Sequence, residues 1–192
     1  MKRILCIAAL AILAPLNPAA AAPVPQQPAQ AAPDKQASRD ATRERLRKLL
    51  ETAGARKDVG VAFRQSTKQP YNFVGVMDTG LSNCDSIEIV VGVTANETVG
   101  FRIYPHFKGA YVNVDKAKDS TGLMRKLLQL SDSDFLFFGA DPGGDVFAGY
   151  TFTLESGFPE EALVVVLRSI RHTDQIVGVL RPLLDGSPAS SK

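Results

Sequence analysis

The chain has two histidines, His106 and His172, and beyond residue 21 a single thiol, Cys84. These are the side chains most readily tuned to chemistry near neutral pH. A nucleophilic triad needs a base beside its nucleophile, and a zinc site needs several ligands at close spacing. Neither histidine stands in a nucleophile elbow or in a helical pair four residues apart. His106 follows Pro105 at the end of an alternating apolar segment, and His172 lies near Arg168 and Arg171 in a helical pattern. Surface or helix-end positions are expected for both. The pairs Asp132/Asp134 and Asp141/Asp145 offer hard oxygen ligands, but neither fits a calcium loop of about twelve residues. Aspartates beside glycine and serine more commonly make turns and caps. Gly139 to Gly144 lacks the lysine and helix order of a phosphate loop, and Asn96-Glu97-Thr98 is a glycosylation sequon in form only. Asp78, Asp85, Glu88 and His106, at predicted strand ends, remain as dispersed polar groups. They would have to converge on a concave site for the alternative reading, an exported hydrolase or small-ligand protein, to hold. No catalytic residue, metal ligand or cofactor is therefore expected.

The aromatic residues carry more. Nearly all of them, from Tyr71 to Phe152, fall on predicted strands or adjoining turns. A sheet covered by helices on one side leaves its other face for rings that can receive apolar segments of a partner. Tyr104, Phe107, Tyr111 and Phe147 are the candidate partner-binding residues. The expected function is a non-enzymatic binding module, regulatory or chaperone-like, that holds a peptide or protein partner or its own second copy.

The elements that must position these rings follow from periodicity. Leu46, Leu49, Leu50 and Ala53 recur at helical spacing after Asp40, a predicted N-cap, and Gly54 closes that helix. Val59, Val61 and Phe63 alternate, as do Tyr71, Phe73 and Met77, then Ile87, Ile89, Val91 and Val93, then Val99, Phe101 and Ile103 up to Pro105. Ser120 is the expected cap of a short helix bearing Leu123, Met124, Leu127 and Leu128. Phe135 to Phe138, the turn Asp141-Pro142-Gly143-Gly144-Asp145 and Val146 to Leu154 form a second hairpin. From Pro159, one apolar stripe through Leu163, Val166, Leu167, Ile170, Val177, Leu180 and Leu184 predicts a single final helix of about 25 residues. The fold class is α+β, two-layer, with a mostly antiparallel sheet in α-β-β-β-β-α-β-β-α order.

The ends of the chain bear on its location. Lys2 and Arg3, the uncharged run Ile4 to Leu16 and the small residues Ala19 to Ala22 are the three regions of a secretory signal peptide, with cleavage expected after Ala21. The run falls short of the roughly 20 residues that span a bilayer, so no integral membrane segment is expected after cleavage. Cys6 lies near the start of the run, whereas a lipid-modified cysteine follows it. Residues 22–38, rich in Pro, Ala and Gln, predict a disordered linker, residues 39–185 a single domain, and residues 186–192 a disordered tail. The 22 basic and 20 acidic groups come level once Lys2 and Arg3 leave with the signal. A neutral chain lacks the surplus positive charge a nucleic-acid binder needs. Cys84 then has no partner for an intramolecular disulfide and is either buried and inert or paired with another chain. Periplasmic or secreted localisation is the expectation.

Cys84-Asp85-Ser86-Ile87-Glu88-Ile89 opens the main strand; Leu123 to Leu130 leads to Asp134-Phe135-Leu136-Phe137. After the glycine turn, Phe147 to Leu154 is followed by Gly157-Phe158-Pro159-Glu160-Glu161 and the closing helix. This order resembles the YbjN family of bacterial sensory transduction regulators over roughly Arg45 to Leu184. Related sequences often carry an Asn-Trp pair near the central helix, whereas this chain has no tryptophan and places Lys126-Leu127 in that stretch. The resemblance implies a two-layer α+β domain similar to the chaperones of type III secretion, which bind polypeptides without doing chemistry. It offers no catalytic residues to carry over.

Overall fold

Ile87, Ile89, Val91 and Val93 are buried while Ser86, Glu88, Val90 and Gly92 between them are half-buried. This is the period of a strand with one covered face. In the computed structural model, which describes residues 35–190, that strand is β3 (Ser86–Val93) of a seven-stranded antiparallel sheet. Before it come α1 (Lys35–Gly54), β1 (Phe63–Gln65) and β2 (Asn72–Met77). After it come β4 (Val99–Phe107), β5 (Ala110–Tyr111), α2 (Ser120–Ser133), β6 (Phe137–Ala140), β7 (Val146–Phe152), α3 (Glu160–Ser169) and α4 (His172–Leu184). The strand order is β1-β2-β3-β4-β7-β6, with the short β5 paired to β4. The fold is the expected two-layer α+β arrangement. Phe73, Ile89, Phe101, Ile103 and Ala148 form the sheet side of the core, against Leu46 and Leu50 of α1, Leu123 of α2, Leu163 and Leu167 of α3, and Val177 and Leu180 of α4.

The entry to β3 is held by a buried acid. Asp174, in the first turn of α4, accepts backbone N–H bonds from Ser82 (3.0 Å), Asn83 (2.7 Å) and Cys84 (2.8 Å), and one from the Asn83 side-chain amide (3.3 Å). Burial alone pushes a carboxyl up, but here the donated hydrogen bonds outweigh it and hold Asp174 below the ordinary carboxylate range.

Several expectations are corrected. The linker does not extend to Ser38: α1 begins at Lys35, the Ser38 hydroxyl donates to Glu97 (2.8 Å), and Arg39 donates to the Val93 carbonyl (2.7 Å). Asp40 is consequently inside α1, where it accepts from the Tyr71 hydroxyl rather than capping. Pro105 does not end β4; it pairs with Ile87 inside the strand, and its carbonyl accepts from Val112. Proline is tolerated here because the β4–β7 pairing stops at Ile103, so no ladder partner awaits its missing N–H. Asp119, not Ser120, caps α2, accepting from Gly122. Phe135 and Leu136 precede β6 instead of opening it.

The final helix is two helices. Ile170 and Arg171 stay right-handed, but Thr173 and Asp174 donate to the carbonyls three residues back, Ile170 and Arg171. That tighter turn separates α3 from α4. The tail packs as well, at least to Ser190: Pro182 inside α4 cannot donate to the Gly178 carbonyl, and the Ser190 N–H takes that place at 3.1 Å. A Cβ on Gly178 would lie 2.8 Å from both Asn83 Oδ1 and the Ser190 carbonyl, so only glycine permits this closure. The signal peptide, its cleavage point, Cys6, the linker before Lys35 and the last two residues lie outside the described residues.

Candidate binding groove on the open sheet face

The half-buried positions of the strands point away from the helices, and register brings them together. Val90 of β3 faces Arg102 of β4, Arg102 faces Gly149 of β7, and Gly149 faces Phe137 of β6. One step along the strands, Glu88 pairs with Tyr104; one step the other way, Gly92 pairs with Gly100 and Gly100 with Thr151. Apart from Gly149, these residues line a shallow groove of about 670 Å³, with Arg39 and Thr94 also in its lining. Its floor is low at Gly100, where the nearest neighbour to an added Cβ would be Thr151 Oγ1 at 4.0 Å. At Gly149 the reverse holds. A Cβ there would come within 2.5 Å of the Phe137 ring, so glycine lets that ring lie across the neighbouring strand.

A continuous row of rings crosses this face. Tyr111 and Tyr104 have centroids 5.8 Å apart, Tyr104 and Phe147 5.6 Å, and Phe147 and Phe137 6.0 Å, all tilted or edge-to-face. Such contacts hold rings in place beyond what area burial alone does. The Arg102 guanidinium sits 4.7 Å from the Phe147 ring centre. Burial and the neighbouring Glu88 carboxylate push the Tyr111 phenol up to about 12, so this ring stays a neutral hydroxyl at ordinary pH. Asp141 turns inward on its own loop, accepting from the Gly143 and Asp145 N–H groups, and Asp145 accepts from the Asn113 amide at 2.8 Å.

Of the four candidate partner-binding residues, Tyr104, Tyr111 and Phe147 come together in this groove and Phe107 does not. Because β4 continues through Pro105, Phe107 has the parity of Ile103 and faces the helices, 5.9 Å from the Arg181 guanidinium of α4. The dispersed acids do not converge either. Glu88 lines the groove, whereas Asp85 accepts from the Gly109 N–H at 2.6 Å and Asp78 is exposed past the end of β2. His106 lies tilted against Tyr111, ring centroids 4.1 Å apart, but is not part of the lining.

His172 opens α4 and bonds Asp134 through Nε2 at 2.7 Å and Gln175 through Nδ1 at 3.2 Å. Ser133, next to Asp134, donates back to the Gln129 carbonyl and not to the imidazole. Cys84 is buried, and that burial, reinforced by the Asp174 charge, pushes its thiol well above the ordinary range. Among the described residues no group of three or more His, Cys, Asp or Glu side chains could hold a metal ion. No described helix is long and apolar enough to cross a membrane.

No family model, curated protein or solved structure matches this chain. Arg102, Phe137, Val90 and the glycine floor are the groove residues that sequence reasoning did not single out. Strand parity was the signal available for Arg102 and Val90, which stand two residues from Tyr104 and Glu88.

Proposed function

We propose that this chain is an exported, non-enzymatic binding module that receives a peptide or protein partner on the open face of its sheet. The observation that supports it is the aromatic row Tyr111-Tyr104-Phe147-Phe137 lining a groove of about 670 Å³. Rings fixed against one another offer apolar contact area without losing side-chain freedom on binding. Of the polar candidates for catalysis only Glu88 lines the groove, and the hydrolase reading draws no support from a shared site there. Kinship with the YbjN family and a periplasmic or secreted location belong to the same proposal.

Two measurements test it. Intact-mass analysis of the exported protein is expected to give a chain beginning at Ala22; soluble protein that retains Met1 refutes export by cleavage. Affinity capture from periplasmic extract, run in parallel with the unaltered chain and with Tyr104→Ser, is expected to lose its partner only in the variant. Capture that is indifferent to Tyr104→Ser and to Phe137→Ser removes the groove from consideration.

A further inference from the structure

The charges that line the groove are sorted along the strands. At one end, level with Gly92 and Gly100, Arg39 gives Nε and Nη2 to the Val93 carbonyl. At the other end, about 13 Å back along β3, Glu88 pairs with Tyr104, and the turn between β6 and β7 carries Asp141 and Asp145. Arg102 stands between the two ends, opposite Val90, and leans toward the acidic one: its Nη1 donates to the Tyr104 hydroxyl at 3.4 Å, and its guanidinium lies 4.7 Å from the Phe147 ring centre. Three carboxylates therefore share that end with one guanidinium, and none of the four is in an ion pair among the described residues. Even with Arg102 counted there, the balance is negative.

These carboxylates keep acceptor capacity. Asp141 takes the Gly143 and Asp145 N–H groups on Oδ1, and Asp145 takes the Asn113 amide on Oδ1, which leaves the second oxygen of each without a hydrogen bond among the described residues. Glu88 lies against the Tyr111 phenol, and the Asp145 charge bears on that same phenol. Among the described residues the acids are not grouped closely enough to hold a metal ion, so what they suit is a cation carried on a longer body. The wall beside them is made of Tyr104, Tyr111 and Phe147, and the face of an aromatic ring attracts a cation. Arg102 already makes that contact with Phe147. Strands β3, β4 and β7 are paired on both sides, so the groove offers an incoming chain side chains and no free ladder.

Resting on the peptide-binding reading above, we propose that the groove is selective for a basic, apolar segment of a partner polypeptide. One lysine or arginine side chain of that segment enters the end lined by Glu88, Asp145 and Tyr111, and its flanking aliphatic or aromatic side chains pack against Tyr104, Phe147 and Phe137. Recognition is by side chains across the sheet face and not by strand addition.

The test uses three fluorescein-labelled peptides of equal length with the full chain, read by anisotropy at low salt. The first alternates Lys with Leu and Phe, the second replaces every Lys by Glu, and the third keeps Lys but replaces the apolar residues by Ser. The first is expected to bind at least about tenfold tighter than either control, and its lead over the glutamate peptide shrinks as salt is raised. Glu88→Gln should remove most of that preference, and Glu88→Lys should turn it toward the glutamate peptide. Arg102→Gln takes away the one positive charge at that end and should tighten the lysine peptide, the opposite sign. An unchanged thermal transition confirms that each variant is folded, and if Glu88→Lys does not fold, the near-isosteric Glu88→Gln decides alone. A glutamate peptide that binds as well as the lysine one, a lysine preference that survives the change at Glu88, or an Arg102→Gln that weakens the lysine peptide overturns the proposal. If that happens while Tyr104→Ser still abolishes partner capture, the binding-module reading stands and only the basic selectivity falls. Equal binding of the serine-containing peptide also overturns it, because charge alone would then suffice.

Discussion

The two faces of the sheet are made by the same strands and obey opposite rules. On the covered face, Ile87, Ile89, Phe101 and Ile103 are at most 1% exposed and touch helices on the other side. On the open face, the intervening Glu88, Val90, Arg102 and Tyr104 mix charge, ring and aliphatic stem, and Phe137 is left 43% exposed. The covered face is bound by volume: interiors are close-packed, so a lost methylene leaves a hole. On the binding-module proposal, the open face is bound instead by shape and charge toward a partner. A change on one face should therefore be read in stability and a change on the other in binding.

The largest effect tests whether the helix layer is what makes the covered face a core. A chain ending at Gly157 loses α3 and α4, and with them Leu163, Val166, Leu167, Ile170, Val177 and Leu180, all buried. Each such side chain stabilises by about 1.5–3 kcal/mol when buried, against a net domain stability of about 5–15 kcal/mol. No cooperative thermal transition is expected; observing one would show that the sheet and first two helices suffice. Within the covered face, Ile103→Ala should cost about 2–5 kcal/mol by denaturant titration. The adjacent Arg102→Gln, pointing the other way, should cost less than about 0.5 kcal/mol. Comparable losses at the two sites would erase the distinction between faces.

Asp174 comes next. Asp174→Ala leaves three backbone N–H groups at residues 82–84 without their acceptor, and a loss of about 1–3 kcal/mol is expected. The pH dependence has a definite sign. The folded-state carboxyl lies below its unfolded value, so its stabilisation is full above the unfolded value of about 3.9 and is lost as pH falls below that through the folded value. The gap in Tm between the unaltered chain and Asp174→Asn should therefore hold steady from about pH 5 upward and narrow in more acidic buffer. A gap that instead widens on acidification would mean the buried acid is held protonated.

The smallest stability effects sharpen the comparison from the binding side. His106→Ala, His172→Ala and Cys84→Ser remove both imidazoles and the buried thiol, and partner capture should survive each of them. A folded variant among these three that loses about a hundredfold in rate on some periplasmic substrate would instead favour an enzyme. Tyr104→Ser should leave the thermal transition within a few degrees while weakening capture, the reverse of Ile103→Ala.

Much of the fold was readable because period two and period 3.6 are local properties. Ile87, Ile89, Val91 and Val93 announce a one-sided strand, and Leu123 with Leu127 a helix face, whatever surrounds them. Misreadings cluster where a residue's local habit was outvoted. Pro105 reads locally as a strand end, and that habit hides the parity of Phe107; inside an unbroken strand, Phe107 is three residues from Tyr104 and must face the other way. The break at Ile170-Arg171 left no mark either, since the apolar stripe runs through it and the backbone stays helical. The cap of α2 shifted by one residue, from Ser120 to Asp119, because both side chains are able to cap and only the chain path chooses.

What the sequence determined by itself is the inventory: which segments bury one face, that their pairing is antiparallel, and that chemistry-bearing side chains are few and scattered. What only the tertiary structure decided is adjacency. Arg102 meets Phe147 across 45 residues of chain, Phe137 lies on Gly149 because that position has no Cβ, and Asp174 reaches back to the amides of residues 82–84. Each of these contacts depends on strand register and helix placement. Those are set by how the whole core packs, and no window of local sequence contains that information.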